Sequence, residues 1–193
     1  MYLIKGVIEI ASRILLLIGT SGAGKTVLGQ HLETLGIPQL ISHTTRTPRK
    51  DEIDGTTYHY ISKEEFDKLD KLEQTYYAGN YYCLSRQEVE RHEEDLVYCI
   101  VDQFGVKQIK QNFGNVVTIY VHIDQRQQEE RLRKRGDSED EIKKRIIYSI
   151  QNDEVKNDIE IADYIITNNN LETSKQILEY IVKEIRNEET FIS

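Results

Sequence analysis

Apolar residues along this chain fall in short continuous runs, separated by longer stretches where they recur every three or four positions. Arg13–Ile18 reads RILLLI and is bounded by Gly19, as expected of a strand covered on both faces of a parallel sheet. Residues 96–101, residues 116–123 and Tyr164–Thr167 repeat that signature, and Leu40 and Ile41 are placed to end a further strand. After Lys25 the residues Val27, Leu28, His31, Leu32 and Leu35 follow helical spacing until Gly36 and Pro38 stop it. The same period predicts helices over 63–72, 104–112 and 171–186, and a charged helical stretch over 125–158 broken at Gly136. The terminal NEETFIS is expected to fray. Residues 1–12 alternate weakly and fit either an extra strand or a loose leader. Strands alternating with helices imply βαβ units, and hence a three-layer α/β domain on a parallel sheet of about five strands.

Composition narrows the partners. The 193 residues suit one domain, perhaps with small insertions, and the net charge of -8 argues against a general nucleic-acid binder, whose affinity comes from phosphate neutralisation. A local arginine cluster can still hold a small anion inside an acidic protein. Cys83 and Cys99 lack metal or redox spacing and read as reduced, partly buried thiols. The run from Ile14 to Ile18 is too short to span a bilayer, so the expectation is a cytoplasmic enzyme without membrane or nucleic-acid partners, either monomer or homodimer.

The strongest motif is Gly19-Thr20-Ser21-Gly22-Ala23-Gly24-Lys25-Thr26, a full match to G-x-x-x-x-G-K-[ST] between a strand and a helix. Glycines let successive backbone N–H groups turn inward, and the helix N-terminus adds partial positive charge. Lys25 would reach the β- and γ-phosphates of a nucleotide, and the Thr26 hydroxyl would ligate Mg²⁺. The alternative, a glycine-rich turn without a ligand, leaves Lys25 and Thr26 without a purpose. The motif specifies a nucleotide phosphate but not the reaction.

A second constellation is Ser42-His43-Thr44-Thr45-Arg46-Thr47-Pro48-Arg49, followed by Asp54-Gly55 and Tyr58-His59-Tyr60. Arg46 and Arg49, three apart beside a proline, make a fork for an anion, because guanidinium groups offer paired donors. Taken alone this is equally a solvated surface loop. A third is EERLRKRGDSEDEIKKR over 129–145, where Arg131 and Arg135 share a helical face and Arg145 follows beyond Gly136. By itself that stretch is also a solvated helix with Glu–Arg pairs. Tyr76, Tyr77, Tyr81 and Tyr82 either stack on a base or pack a small lobe, and a lone His43 is most simply a core residue.

SHTTRTPR, then DGTTYHYISKEEF, then GNYY, together with the phosphate loop and RLRKRG before KKR, resemble the guanylate kinase family over roughly residues 14–185. The resemblance implies an enzyme that passes the γ-phosphoryl group of ATP-Mg²⁺ to GMP. It implies a core of residues 13–41 and 96–193, an acceptor lobe over 42–95 and a helical lid near 129–145. By that resemblance Ser42, Arg46, Arg49, Tyr58 and Tyr82 hold the GMP phosphate, and Glu73 pairs with guanine N1 and N2. Arg131 joins the loop residues Gly19 to Thr26 in binding ATP, Lys25, Arg46, Arg135 and Arg145 stabilise the transferring charge, and Asp102 joins Thr26 at the metal. Arg133 reads as a solvent-facing helper, and Asn168 follows the last strand where the family approaches adenine.

Departures cluster where a base would bind. The family has a Thr or Ser contacting guanine after its tyrosine pair. Here the residues are Cys83-Leu84-Ser85, so Ser85 is the remaining hydroxyl. Of a D-x-D after the third strand, the first position is Ile100 and the second Asp102. The phosphate of the acceptor is therefore better specified than its base, and a kinase of another monophosphate is the alternative. A non-catalytic binding module and a GTPase are weaker readings, because Lys25, Thr26 and the lid arginines are present and no N-K-x-D motif is found.

Overall fold

The computed structural model describes residues 13–49, 52–77 and 79–190, with residues 188–190 described by backbone alone. The call on residues 1–12 lies outside them. Among the described residues eight strands and eight helices follow one another: β1 (Arg13–Ile18), α1 (Lys25–Thr34), β2 (His43–Thr44), β3 (His59–Tyr60), α2 (Lys63–Lys68), β4 (Lys71–Tyr77), β5 (Asn80–Ser85), α3 (Arg86–Glu90), β6 (Leu96–Ile100), α4 (Gln103–Asn112), β7 (Val116–His122), α5 (Gln125–Arg135), α6 (Glu139–Gln151), α7 (Glu154–Ile161), β8 (Tyr164–Thr167) and α8 (Leu171–Thr190). They form a four-stranded parallel sheet, β6-β1-β7-β8, and a second sheet, β3-β2-β5-β4. The fifth strand expected at Leu40 and Ile41 is reduced to one parallel bridge, Gln39 to Tyr98, held by Leu40 N–H on the Tyr98 carbonyl at 2.7 Å. Pro38 lies beside it and has no N–H with which to extend a ladder.

Among the described residues the chain divides into two compact units, residues 13–16 with 36–117, and residues 17–35 with 118–190. The first contains the second sheet. Its β4–β5 hairpin pairs antiparallel, with Glu73 opposite Leu84 and Thr75 opposite Tyr82. Since facing residues of a ladder share a side, Glu73, Leu84, Thr75 and Tyr82 all lie on one face. α4 lies along β4, tied by Gln108 to Gln74 and by Asn112 to the Leu72 carbonyl at 3.0 Å. The helix expected over 63–72 ends at Lys68, and Lys71 already begins β4. Phe66, Leu69 and Leu72 have helical spacing, but Leu69 is extended, and cross-strand bonds to β5 satisfy the backbone instead.

In the second unit β7 and β8 pair parallel from Ile119–Tyr164 to His122–Thr167. α8 buries Leu178, Ile181, Val182 and Ile185, and its Glu179 meets His31 of α1 at 2.9 Å. Each such side chain removed from water contributes about 1.5–3 kcal/mol. The charged stretch breaks at Gly136, as expected, and again at Asn152 and Asp153, the latter with φ 48°. α8 runs to Thr190, so the first part of NEETFIS is helical rather than frayed. Among the described residues no helix is long and apolar enough to cross a membrane.

Candidate active site

The phosphate loop follows β1, whose Ile14 to Ile18 are fully buried, and ends where α1 begins. Its glycines are required by shape. Gly19 has φ 138°, and a Cβ there would lie 2.4 Å from the Val121 carbonyl oxygen. Gly24, with φ 100°, caps α1, and a Cβ would lie 2.3 Å from Asn168 Nδ2. Three side chains from outside hold the loop's carbonyls. Gln128 Nε2 donates to Ser21 at 2.9 Å, Arg131 Nη1 to Ala23 at 3.2 Å, and Asn168 Nδ2 to Ala23 at 2.7 Å. Arg131 Nη2 also donates to the Asn168 carbonyl at 2.6 Å. Lys25 Nζ bends back onto the Gly19 and Thr20 carbonyls, and Thr26 is exposed on the first turn of α1.

Arg131, expected to bind ATP, is thus placed as a brace of the loop, with its guanidinium on main-chain oxygens. Arg135 and Arg145 converge on one carboxylate: Arg135 is hydrogen-bonded to Asp137, and Arg145 Nε lies 3.8 Å from it. Arg133 faces outward and pairs with Glu129 and Glu139, as expected. Asn168 is buried behind the loop.

In the other unit two of the expected phosphate ligands, Arg46 and Arg49, meet at an acidic hub, Glu52. Arg46 donates to Glu52 at 2.9 Å, and its guanidinium lies 5.6 Å from the Tyr58 ring centre and 5.7 Å from that of Tyr60. Glu52 also accepts from the Arg49 amide and from the Tyr60 hydroxyl, both at 2.8 Å. Burial pulls the Glu52 carboxyl up, but the Arg49 amide, Tyr60 and Arg46 together hold it below its usual range. Tyr82 meets Tyr58 edge-on at 5.7 Å, and burial pushes the Tyr58 hydroxyl up to about 12, so it stays a neutral donor. Ser42 is buried with Oγ 3.8 Å from Cys99 Sγ. Arg49 remains half exposed.

The same unit carries two neighbouring carboxylates. Glu73 is 4 % exposed, and burial, then the charge of Asp102, pushes it up to about 8 against a bond from the Leu84 amide. Asp102 Oδ1 accepts from Gly105 N–H and Oδ2 from the Thr75 hydroxyl, each at 2.8 Å. Ser85, the possible substitute hydroxyl, is instead the N-cap of α3 and accepts from the Glu88 amide. Leu84 is fully buried, and so are both cysteines, whose thiols burial pushes up to about 12.

Sequence reasoning missed Gln128, Asp137, Glu52 and Thr75. Glu52 lay three residues beyond Arg49 and Asp137 two beyond Arg135, each in local reach, while Gln128 and Thr75 announce themselves only through tertiary contacts.

The comparisons with known proteins bear on this arrangement. A guanylate kinase from Helicobacter pylori is 35% identical over 183 residues, covering 89% of this chain and 87% of the relative. One from Synechocystis sp. is 38% identical over 193 residues, covering 94% and 97%. The crystal structure of guanylate kinase from Anaplasma phagocytophilum shares the fold, with a TM-score of 0.65 at 24% identity over 92% of this chain and 87% of that one. The family model for guanylate kinase matches residues 11–185, which take in the braced phosphate loop, the arginine–tyrosine cup and the two neighbouring carboxylates alike; the chain belongs to the guanylate kinase family.

Proposed function

We propose that this chain transfers the γ-phosphoryl group of ATP to GMP, giving ADP and GDP. The observation that carries this reading is the content of one unit: a cup of Arg46, Tyr58 and Tyr82 suited to a phosphate, and two neighbouring carboxylates, the buried Glu73 and the half-buried Asp102. A guanine edge presents N1–H and a 2-amino group side by side, and two adjacent acceptors match it. Residues 42–95 then act as acceptor lobe and 129–145 as lid, on a core of 13–41 and 96–193.

In this reading Lys25 leaves the Gly19 and Thr20 carbonyls for the β- and γ-phosphates, and the loop amides take the remaining oxygens. Arg46 and Arg49 neutralise the acceptor phosphate, while Arg135 and Arg145 exchange Asp137 for the charge that develops on the transferring group. No side chain needs to act as a strong base, because transfer rests on positioning and charge stabilisation. Lid closure excludes water, which would otherwise take the phosphoryl group.

When bound, Mg²⁺ would supply positive charge that offsets the negative charge of the transferring phosphoryl group. The exposed Thr26 hydroxyl, a hard oxygen on the first turn of α1, fits that ion. Asp102 accepts from Gly105 and Thr75, and its charge helps push the Glu73 carboxyl up, so this reading places it with Glu73. Among the described residues no group of three or more His, Cys, Asp or Glu is arranged to hold a metal.

The test is ADP release with ATP-Mg²⁺ and GMP, dGMP, AMP, CMP, UMP or IMP. GMP-selective turnover that disappears in Lys25→Ala is expected. Turnover of another monophosphate without GMP would overturn the acceptor assignment.

A further inference from the structure

We infer that Thr75 sets base specificity as a positioning residue, holding Asp102 so that it accepts the exocyclic 2-amino group of a guanine beside Glu73. The inference rests on the acceptor-lobe reading above and names the base contact within it.

Three observations within one unit carry it. First, Thr75 stands two residues from Glu73 on β4, so both side chains leave the same face of the hairpin. Second, its hydroxyl donates to Asp102 Oδ2 at 2.8 Å while Gly105 N–H donates to Oδ1 at 2.8 Å. The carboxylate is thereby gripped from both sides, with one lone pair of each oxygen still available to a base N–H. Third, Gly105 keeps the space between the carboxylates open. A Cβ there would meet Glu73 Oε2 at 3.3 Å and Val101 Cβ at 3.0 Å.

Of the other residues on this face, Tyr82 stands opposite Thr75 and packs its ring edge-on against Tyr58. Leu84, directly opposite Glu73, is apolar and fully buried, and Ser85 is occupied capping α3. A hydroxyl on β4 thus stands across the hairpin from the apolar position on β5. Thr75 acts through Asp102, so its removal should weaken recognition of the 2-amino group and leave the rest of the base unaffected. GMP and IMP differ in that group alone, which makes their ratio the direct readout.

The experiment is calorimetric titration of the full chain with GMP and with IMP, for wild type, Thr75→Val and Thr75→Ser. Wild type should prefer GMP by about tenfold or more, in the range expected when buried polar groups lose their partner. Thr75→Val should bring that preference to within about twofold by weakening GMP alone, and Thr75→Ser should retain it. A second variant, Leu84→Thr in the Thr75→Val background, guards against a packing effect of valine, since the preference should then stay lost while the thermal midpoint is followed separately. An unchanged GMP-to-IMP ratio in Thr75→Val, loss of the ratio in Thr75→Ser, or no preference in wild type would overturn the inference. Turnover is measured apart from binding, so absence of GMP phosphorylation counts against the kinase reading, while the binding ratio alone decides the role of Thr75.

Discussion

Arg46 and Glu52 are bound to each other, with Arg46 Nη2 and the Glu52 carboxylate 2.8 Å apart and each only 15% exposed. Glu52 is therefore the internal counter-ion of the acceptor fork, and it fixes Tyr60 and the Arg49 amide as well. Substituting Glu52→Gln should raise the KM for GMP by about tenfold, the scale of a lost charge-assisted hydrogen bond, and leave the KM for ATP unchanged. Steady-state kinetics with each substrate varied in turn checks this; an equal rise in both values would place Glu52 in general stability instead.

Glu73 predicts a pH dependence. Its folded value of about 8 lies above the ordinary 4.5, so the folded chain holds a proton that the unfolded chain releases between those values. The stability this contributes is fully present below about 4.5 and is lost as pH rises through about 8. The thermal midpoint of wild type should thus fall between pH 6 and pH 9 more than that of Glu73→Gln. Guanine pairing needs the ionised carboxylate, so GMP binding should tighten with rising pH, by at most about tenfold per unit, and level off above about 8. Titrations in buffers of different ionisation enthalpy would show proton release in wild type only.

Gly24→Ala is expected to damage the phosphate loop. A left-handed backbone costs a non-glycine residue about 1–2 kcal/mol, and the new methyl meets Asn168 Nδ2. The thermal midpoint should fall by about 2–8 °C for a chain of this size, and ATP affinity should fall with it. A neutral result in both measurements would show that Asn168 yields without consequence.

Asp137 faces both Arg135 and Arg145, so Asp137→Ala should leave the two arginines repelling each other. The expected outcome is a kcat lower by about tenfold, within the scale of one lost electrostatic contact, with the KM for GMP preserved. Single-turnover measurements would assign the loss to the chemical step.

The phosphate loop was legible because a short contiguous motif carries its geometry, and each flanking element shows in local periodicity. The grouping of Arg46, Arg49 and Tyr58 was legible for the same reason, since the three are close in sequence. What braces them was not. Gln128 and Asn168 reach the loop from more than a hundred residues away, and nothing local distinguishes them from surface polar residues. The β4 boundary was missed because Phe66, Leu69 and Leu72 satisfy a helical period, and only pairing with β5 decides between the two. Residue 84 was read as a loss in isolation; the hairpin register shows Thr75 on the same face, a relationship invisible without the pairing.

Gln128, Arg131 and Asn168 hold the Ser21 and Ala23 carbonyls of the phosphate loop through contacts internal to the fold. Much of the conformational entropy that a free glycine-rich segment would surrender on binding is thus already lost in folding. Nucleotide capture at this loop then resembles insertion into a preformed socket, with association limited by encounter, and sequence drift along α5 is constrained by a residue such as Gln128 that need never touch a ligand.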